Sequence, residues 1–254
     1  MAASRSRIGS VPYLNAVPLT CGLEDEVTFA TPARLAELLR EGALDAALVS
    51  LAEVLLTDGY DILDGVAIAS RGPVRSVFLA HREPLACVRK VHCDTASITS
   101  VNLLRVLLAE WGIPATLEPL ASYEVAPDLD AVLLIGDRAL EFARAGHPHH
   151  RWDLGEAWGD LTALPFVYAV WALRRGAHDA ALRARLIEAR DSGRRDFETL
   201  VRQREDFDLE FRRNYLTRSV TFELGEPEKR GIARFAELLR RHALGPVFSP
   251  NYVA

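Results

Sequence analysis

The chain has 254 residues, 49% of them hydrophobic and 26% charged, with a net charge of −5; this is the composition of a folded water-soluble protein with room for one large domain or two small ones. The acidic balance argues against a basic nucleic-acid-binding face, and no stretch reaches the ~18 uninterrupted apolar residues of a membrane-spanning helix. Cys21, Cys87 and Cys93 are odd in number and lack the close pairing of a zinc site, and the opening MAASRSRIGSVPYLN carries charge without an apolar signal-type run, so a cytoplasmic protein with reduced thiols and no metal or cofactor is expected.

Taken in chain order, residues 7–11 read as a strand closed by Pro12, and 27–30 as a second strand. Thr31-Pro32 then opens a helix, with Thr at the N-cap and Pro at the first helical position. Leu35, Leu38 and Leu39 form its apolar face and Gly42 ends it. Residues 44–49 are a buried strand, and Ser50 to Glu53 has capping-box spacing. Strands at 67–70 and 76–81 flank Arg71-Gly72-Pro73. The pattern then restarts: a strand at 91–94, a helix at 97–111 with Val101, Leu104, Leu108 and Trp111 on one face, strands at 116–120 and 131–136, and a helix at 137–145. A long apolar strand at 165–173 precedes helices at 177–203, 207–216 and 226–242.

Alternating strands and helices imply parallel sheets covered by helices, an α/β fold. The strands at 74–82 and 165–173 lie near the block boundaries, which predicts two lobes: 1–86 with 176–254, and 87–175. Ligands of such sheets bind beyond the carboxyl ends of the strands.

Four strand-end segments therefore hold the candidate site residues. SVPYLNAVPL presents Ser10, Tyr13 and Asn15 on a proline-stiffened loop, which could also be a plain turn. In SRGPVRS, strand alternation sets Ser76 on the face of Val74 and Phe78 with Arg75 opposite, and a buried hydroxyl there needs a backbone or ligand partner. Thr95, Ser97, Thr99 and Ser100 crowd a helix start, more hydroxyls than one N-cap requires; free amide N–H groups there suit a carboxylate. Gly136 and Asp137 follow a strand, with Asp137 read as an N-cap. Ser50 occupies a fifth strand end. His147, His149 and His150 sit in a polar, proline-bearing stretch and read as a surface loop, and no GxGxxG, P-loop or GxSxG is present.

RIGSVPYLNAVPL (7–19), LDAALVSLAEVLL (44–56), IASRGPVRSVFLAHR (68–82), DTASITSVNLLRVLL (94–108) and LLIGDRAL (133–140) occur in this order. Together they resemble the chorismate dehydratases of the futalosine route to menaquinone. The sister 1,4-dihydroxy-6-naphthoate synthases are similar in fold but carry Cys-Pro-Asn-Asp where this chain has Tyr-Leu-Asn. The resemblance implies the two-lobed fold of type II periplasmic binding proteins, with a ligand between the lobes. It also implies conversion of chorismate to 3-[(1-carboxyvinyl)oxy]benzoate and water. By motif, Asn15 and Ser76 are the implied catalytic residues, with Ser10, Tyr13, Ser50, Arg75, Thr95, Ser97, Thr99, Ser100, Gly136 and Asp137 as substrate-binding candidates. Ile98 stands where the family commonly has Arg, so the helix start, Arg71 or Arg75 would have to supply the positive potential. None of these segments offers a His or Glu as base, so the enolpyruvyl carboxylate of the substrate is the expected proton acceptor, with Asp137 as the rival. A solute receptor of the same fold is the non-catalytic alternative, and monomer and homodimer both stay open.

Overall fold

The computed structural model describes residues 6–254. Strands β1 (Ile8–Ser10) and β2 (Val27–Phe29), helix α1 (Pro32–Arg40), strand β3 (Ala46–Ser50), the short helix α2 (Leu51–Leu56) and strand β4 (Tyr60–Ser70) open the chain. Strand β5 (Val77–His81), β6 (Lys90–Cys93), α3 (Ile98–Glu110), β7 (Thr116–Pro119), β8 (Ala131–Ile135), α4 (Gly136–Arg144), β9 (His150–Asp153) and α5 (Leu154–Thr162) follow. The chain ends with β10 (Phe166–Arg174), α6 (Ala180–Arg195), α7 (Phe197–Gln203), α8 (Leu209–Asn214), α9 (Glu226–Arg241) and β11 (Tyr252–Val253).

Two sheets result, with strand orders β11-β4-β10-β3-β1-β2 and β7-β6-β8-β5-β9. In the first, β10 runs antiparallel to both β3 and β4; in the second, β5 runs antiparallel to β8 and β9. The central strands β3, β5 and β8 are buried at every position, as strands with both faces covered must be, which is why they read as unbroken apolar runs. Helix α9 shows the opposite pattern. Ile232, Phe235, Ala236 and Leu239 are buried on one stripe, and Phe235 meets Trp158 and Phe166 edge-on at 6.0 and 5.1 Å. Each such large side chain contributes about 1.5–3 kcal/mol by leaving water.

Membership of the sheets moves the lobe boundaries from those expected. Strand β5 already belongs to the second sheet and β10 to the first, so the chain crosses at 71–76 and again at 163–165, not at 86/87 and 175/176. Polar residues hide other elements from the sequence pattern. Strand β4 begins at Tyr60, seven residues before the expected start, because its buried Asp61 is matched by Arg175, His178 and Asn251. Strand β9 and helix α5 were not expected; β9 is an edge strand with exposed His150 and Arg151. The helix read over 177–203 breaks at Asp196. Trp111 lies past the end of α3 and is exposed, whereas α3 itself is buried on most sides, because it packs against α2, α5 and α9.

Two devices fix the first crossover. The Asp153 carboxylate accepts from the backbone N–H groups of Val74 (3.0 Å), Arg75 (2.7 Å), Gly155 (2.9 Å) and Glu156 (3.1 Å), so one side chain caps α5 and holds the loop. Gly155 is packed so closely that a Cβ would lie 2.5 Å from the Gly72 carbonyl oxygen. Arg75 takes φ +65°, which ends strand alternation before it starts: Ser76 lies outside β5 and is turned inward by the loop, not by a pleat.

Candidate functional site

A cleft of about 560 Å³, counting its open mouth, lies between the lobes. Val11, Tyr13, Asn15, Leu48, Ser50, Tyr168 and Ala169 line it from the first sheet's side, Ser97, Ser100, Ile135 and Gly136 from the second, and Val74 and Ser76 from the crossover. Its walls are mainly apolar, with a few convergent hydroxyl and amide groups, the usual make-up of a small-molecule site. None of the lining residues is Asp, Glu, His, Lys or Arg.

One polar cluster joins the starts of α2 and α3. Ser97 caps α3, its Oγ accepting from Ser100 N at 3.3 Å. The same oxygen lies 3.2 Å from Ser100 Oγ and 3.1 Å from Ser50 Oγ. Ser50 precedes α2 but makes no cap bond to it, so the expected capping box does not form; Glu53 instead pairs with Arg40. Thr99 is buried and accepts from Ala52 N at 2.8 Å, tying the two helix starts together behind the cleft. The first turn of α3 leaves amide N–H groups without intrahelical partners and carries the positive end of the helix dipole, which favours an anion.

A second cluster faces it. The residues Leu14–Leu19 form a 3₁₀ turn after β1, and Pro18 packs against Gly193 of α6, where any side chain would overlap the Pro18 carbonyl. This holds Asn15 in place, and its Nδ2 donates to the Tyr215 hydroxyl at 3.4 Å. Tyr215 Oη donates in turn to Ser76 Oγ at 2.8 Å. Ser76 is buried, and its carbonyl accepts from Gly136 N at 2.8 Å. Gly136 takes φ +59° and lies under the Tyr13 ring, so the loop of the first lobe rests directly on the start of α4. Asn15 Oδ1 is enclosed without a hydrogen-bond partner, a costly state for an amide oxygen.

Asp137 is not an N-cap. It is the second residue of α4, and both its oxygens accept from Leu14 N at 3.2 Å, reaching across to the other lobe. Burial pushes its carboxyl up to about 6. The unfolded chain ionises near 3.8, so between these values the folded state holds the proton more tightly, and stability falls as pH rises through the window and is flat above it. Asp137→Asn keeps an acceptor for Leu14 N without the charge. Its melting temperature is expected to match wild type near pH 4 and exceed it by a constant margin above pH 7, as read by thermal unfolding across pH. Tyr13, nearby, is pushed up to about 12 by burial, with Asp94 and Asp137 adding to the effect.

The other sequence candidates lie elsewhere. Thr95 is exposed and does not line the cleft. Arg75 is exposed and lines a separate hollow with Arg144, Arg151 and Phe211. Arg71 pairs with the buried Glu228 of α9 at 2.9 Å, so neither arginine supplies charge to the cleft. Ser10 is wholly buried behind the lining, its Oγ without a partner. Among the described residues, no group of three or more His, Cys, Asp or Glu side chains is placed to hold a metal ion. His149 of the histidine stretch instead bonds the Leu129 carbonyl at 2.7 Å. Tyr215 and Tyr168 are the site residues that sequence reasoning missed. Tyr215 begins a π-helical turn, Tyr215–Ser219, at the end of the stretch read as helix over 207–216, and its partner Ser76 is 139 residues away.

Among solved structures, the crystal structure of protein AF1704 from Archaeoglobus fulgidus has a TM-score of 0.72 at 15% identity, covering 96% of this chain and all of that one. The periplasmic aliphatic sulphonate binding protein SsuA from Escherichia coli has a TM-score of 0.66 at 16% identity, covering 98% and 93%. The fold is thus the two-lobed α/β fold of periplasmic binding proteins. In sequence, the chain is 35% identical to the chorismate dehydratase of Thermus thermophilus over 275 aligned positions, covering 96% of this chain and 97% of that protein. The profile described as menaquinone biosynthesis matches residues 6–241. The chain belongs to this menaquinone biosynthesis family.

Proposed function

We propose that this protein is a chorismate dehydratase, a carbon–oxygen lyase that converts chorismate to 3-[(1-carboxyvinyl)oxy]benzoate and water in the interlobe cleft. The observation that carries the reading is the pair of facing clusters, Ser50–Ser97–Ser100 at the start of α3 and Asn15–Tyr215–Ser76 opposite, in a cleft lined by no Asp, Glu, His, Lys or Arg. Chorismate is a dianion with one carboxylate on the ring and one on the enolpyruvyl arm, and two separated sets of donors suit it. The first turn of α3 and its hydroxyls hold the ring carboxylate. Asn15 and Ser76 hold the enolpyruvyl carboxylate and the C4 hydroxyl.

With no basic side chain lining the cleft, the enolpyruvyl carboxylate takes the C3 proton. Electrons of the C3–H bond form the new ring double bond, the C4–O bond breaks, and the departing oxygen takes up the proton to leave as water. The carboxylate is regenerated and the ring is aromatic, so the overall step is strongly downhill. The task of the protein is to select one conformer among those leading to other reactions, and orientation of this kind is worth up to ~7–11 kcal/mol of barrier. Three unpaired cysteines accord with action in the reducing cytoplasm.

The test is incubation of the purified protein with chorismate, followed by absorbance and NMR. Appearance of the aromatic enol ether with loss of chorismate is the expected result. Chorismate bound and returned unchanged identifies a solute-binding protein, the activity of the SsuA-like neighbours, and turnover of cyclic dehypoxanthine futalosine instead identifies a naphthoate synthase.

A further inference from the structure

Tyr215 is 1% exposed and does not itself line the cleft; it stands one layer behind Asn15 and Ser76. Its ring stacks on Phe211 at 6.2 Å with the planes 4° apart, a contact phenylalanine would make equally well. The hydroxyl is therefore the part of the side chain that packing does not explain. It is held at the start of a π-helical turn, an uncommon backbone form that recurs at functional sites.

Chemistry fixes the direction of one of its hydrogen bonds and geometry that of the other. An amide Nδ2 can only donate, so Asn15 uses the phenolic oxygen as acceptor at 3.4 Å. The single phenolic hydrogen goes to Ser76 Oγ at 2.8 Å. Ser76 Oγ is thereby occupied as an acceptor and keeps its own hydrogen, and it borders the cleft. The same contact settles the amide of Asn15 with Nδ2 toward the phenol, leaving Oδ1 without a protein partner.

We propose that Tyr215 is a positioning residue of the dehydration: its hydroxyl commits the Ser76 proton to the C4 oxygen of the substrate and turns Asn15 Oδ1 to receive the C4 hydroxyl hydrogen. The inference rests on the chorismate reading above. Burial raises the Tyr215 hydroxyl above the ordinary tyrosine range, so it stays protonated and its role as donor is constant. No covalent step passes through Tyr215. It selects which of several Ser76 rotamers the substrate meets, as preorganised donors do.

The experiment is a double-mutant cycle on the full chain with chorismate. Tyr215→Phe is expected to lower kcat by about 10–100-fold, less than loss of a direct donor, with KM changed by no more than about twofold. On a Ser76→Ala background the same substitution is expected to cost clearly less, because of the two groups it orients only Asn15 remains. An equal loss on both backgrounds, or wild-type kcat in Tyr215→Phe, overturns the proposal. A second readout needs no Tyr215 variant and no turnover: the ¹³Cζ signal of Tyr215, which reports the hydrogen bond of the phenol, is expected to shift in Ser76→Ala. An unmoved signal overturns the relay. Wild-type protein that leaves chorismate intact while this signal shifts overturns the chorismate reading and leaves the Tyr215–Ser76 bond standing.

Discussion

Ser76→Ala is expected to lower kcat for chorismate by about 10²–10³-fold, equivalent to about 2.7–4 kcal/mol of lost transition-state stabilisation. Charge grows on the C4 oxygen as its bond to the ring breaks, and Ser76 Oγ is the donor that the crossover loop holds at the cleft wall. An interaction that strengthens only as the bond breaks appears in kcat more than in KM. The loop keeps its shape without the hydroxyl, because it is held by the Asp153 bonds to Val74 and Arg75 and by the Gly136 N–H on the Ser76 carbonyl; the cost to stability is the acceptor lost to the buried Tyr215 hydroxyl, about 1–3 kcal/mol. Steady-state kinetics beside a thermal melt therefore separates the two. A fall in kcat of less than threefold, or a loss of activity matched by a collapse of the melting temperature, contradicts the assignment.

Asn15→Asp is expected to be still more damaging in kcat/KM, by about 10³-fold or more, because it adds two faults to one position. The aspartate is isosteric, so the 3₁₀ turn that carries it keeps its shape against α6. Its second oxygen replaces the Nδ2 that donates to Tyr215 at 3.4 Å and competes with Ser76 Oγ for the one phenolic hydrogen. The new carboxylate also lies at the wall of a cleft proposed to receive a dianion, in a low-dielectric setting where like charges repel by several kcal/mol. The charge repulsion fades at low pH, where the aspartate is protonated and neutral. Part of the lost affinity for chorismate is expected to return below about pH 5, as measured by equilibrium binding across pH. Asn15→Ala, without the charge, is expected to show no such recovery.

The α/β class and the hydroxyl cluster at 95–100, of which Thr95 is exposed and outside the cleft, were legible in the sequence because they rest on local signals, whereas the cleft between the lobes was implied by the family resemblance. The local signals are continuous apolar runs for β3, β5 and β8, a proline at the first position of α1, and an excess of hydroxyls at the start of α3. What was not legible depended on distant partners. Strand β4 was cut short because Asp61 reads as a breaker until Arg175 and His178 are seen to neutralise it. The lobe boundaries shifted because a strand's own residues do not say which sheet it joins. Arg75 was drawn toward the site by its neighbour Ser76, yet one left-handed residue in the loop sends the two side chains to different hollows. Asp137 was read as a local cap, and its actual partner is Leu14, 123 residues earlier. Tyr215 gave no signal at all, since a tyrosine in a helical run is ordinary until its hydroxyl finds Ser76.

The most direct measurement is a crystal structure of the protein with 3-[(1-carboxyvinyl)oxy]benzoate bound. The product is expected to span the gap between the two sheets, its ring carboxylate against the first turn of α3 beside Ser97 and Ser100 and its enolpyruvyl arm within reach of Asn15 and Ser76. Density for the product on an outer face, or in the cleft with neither carboxylate touching those groups, contradicts the account.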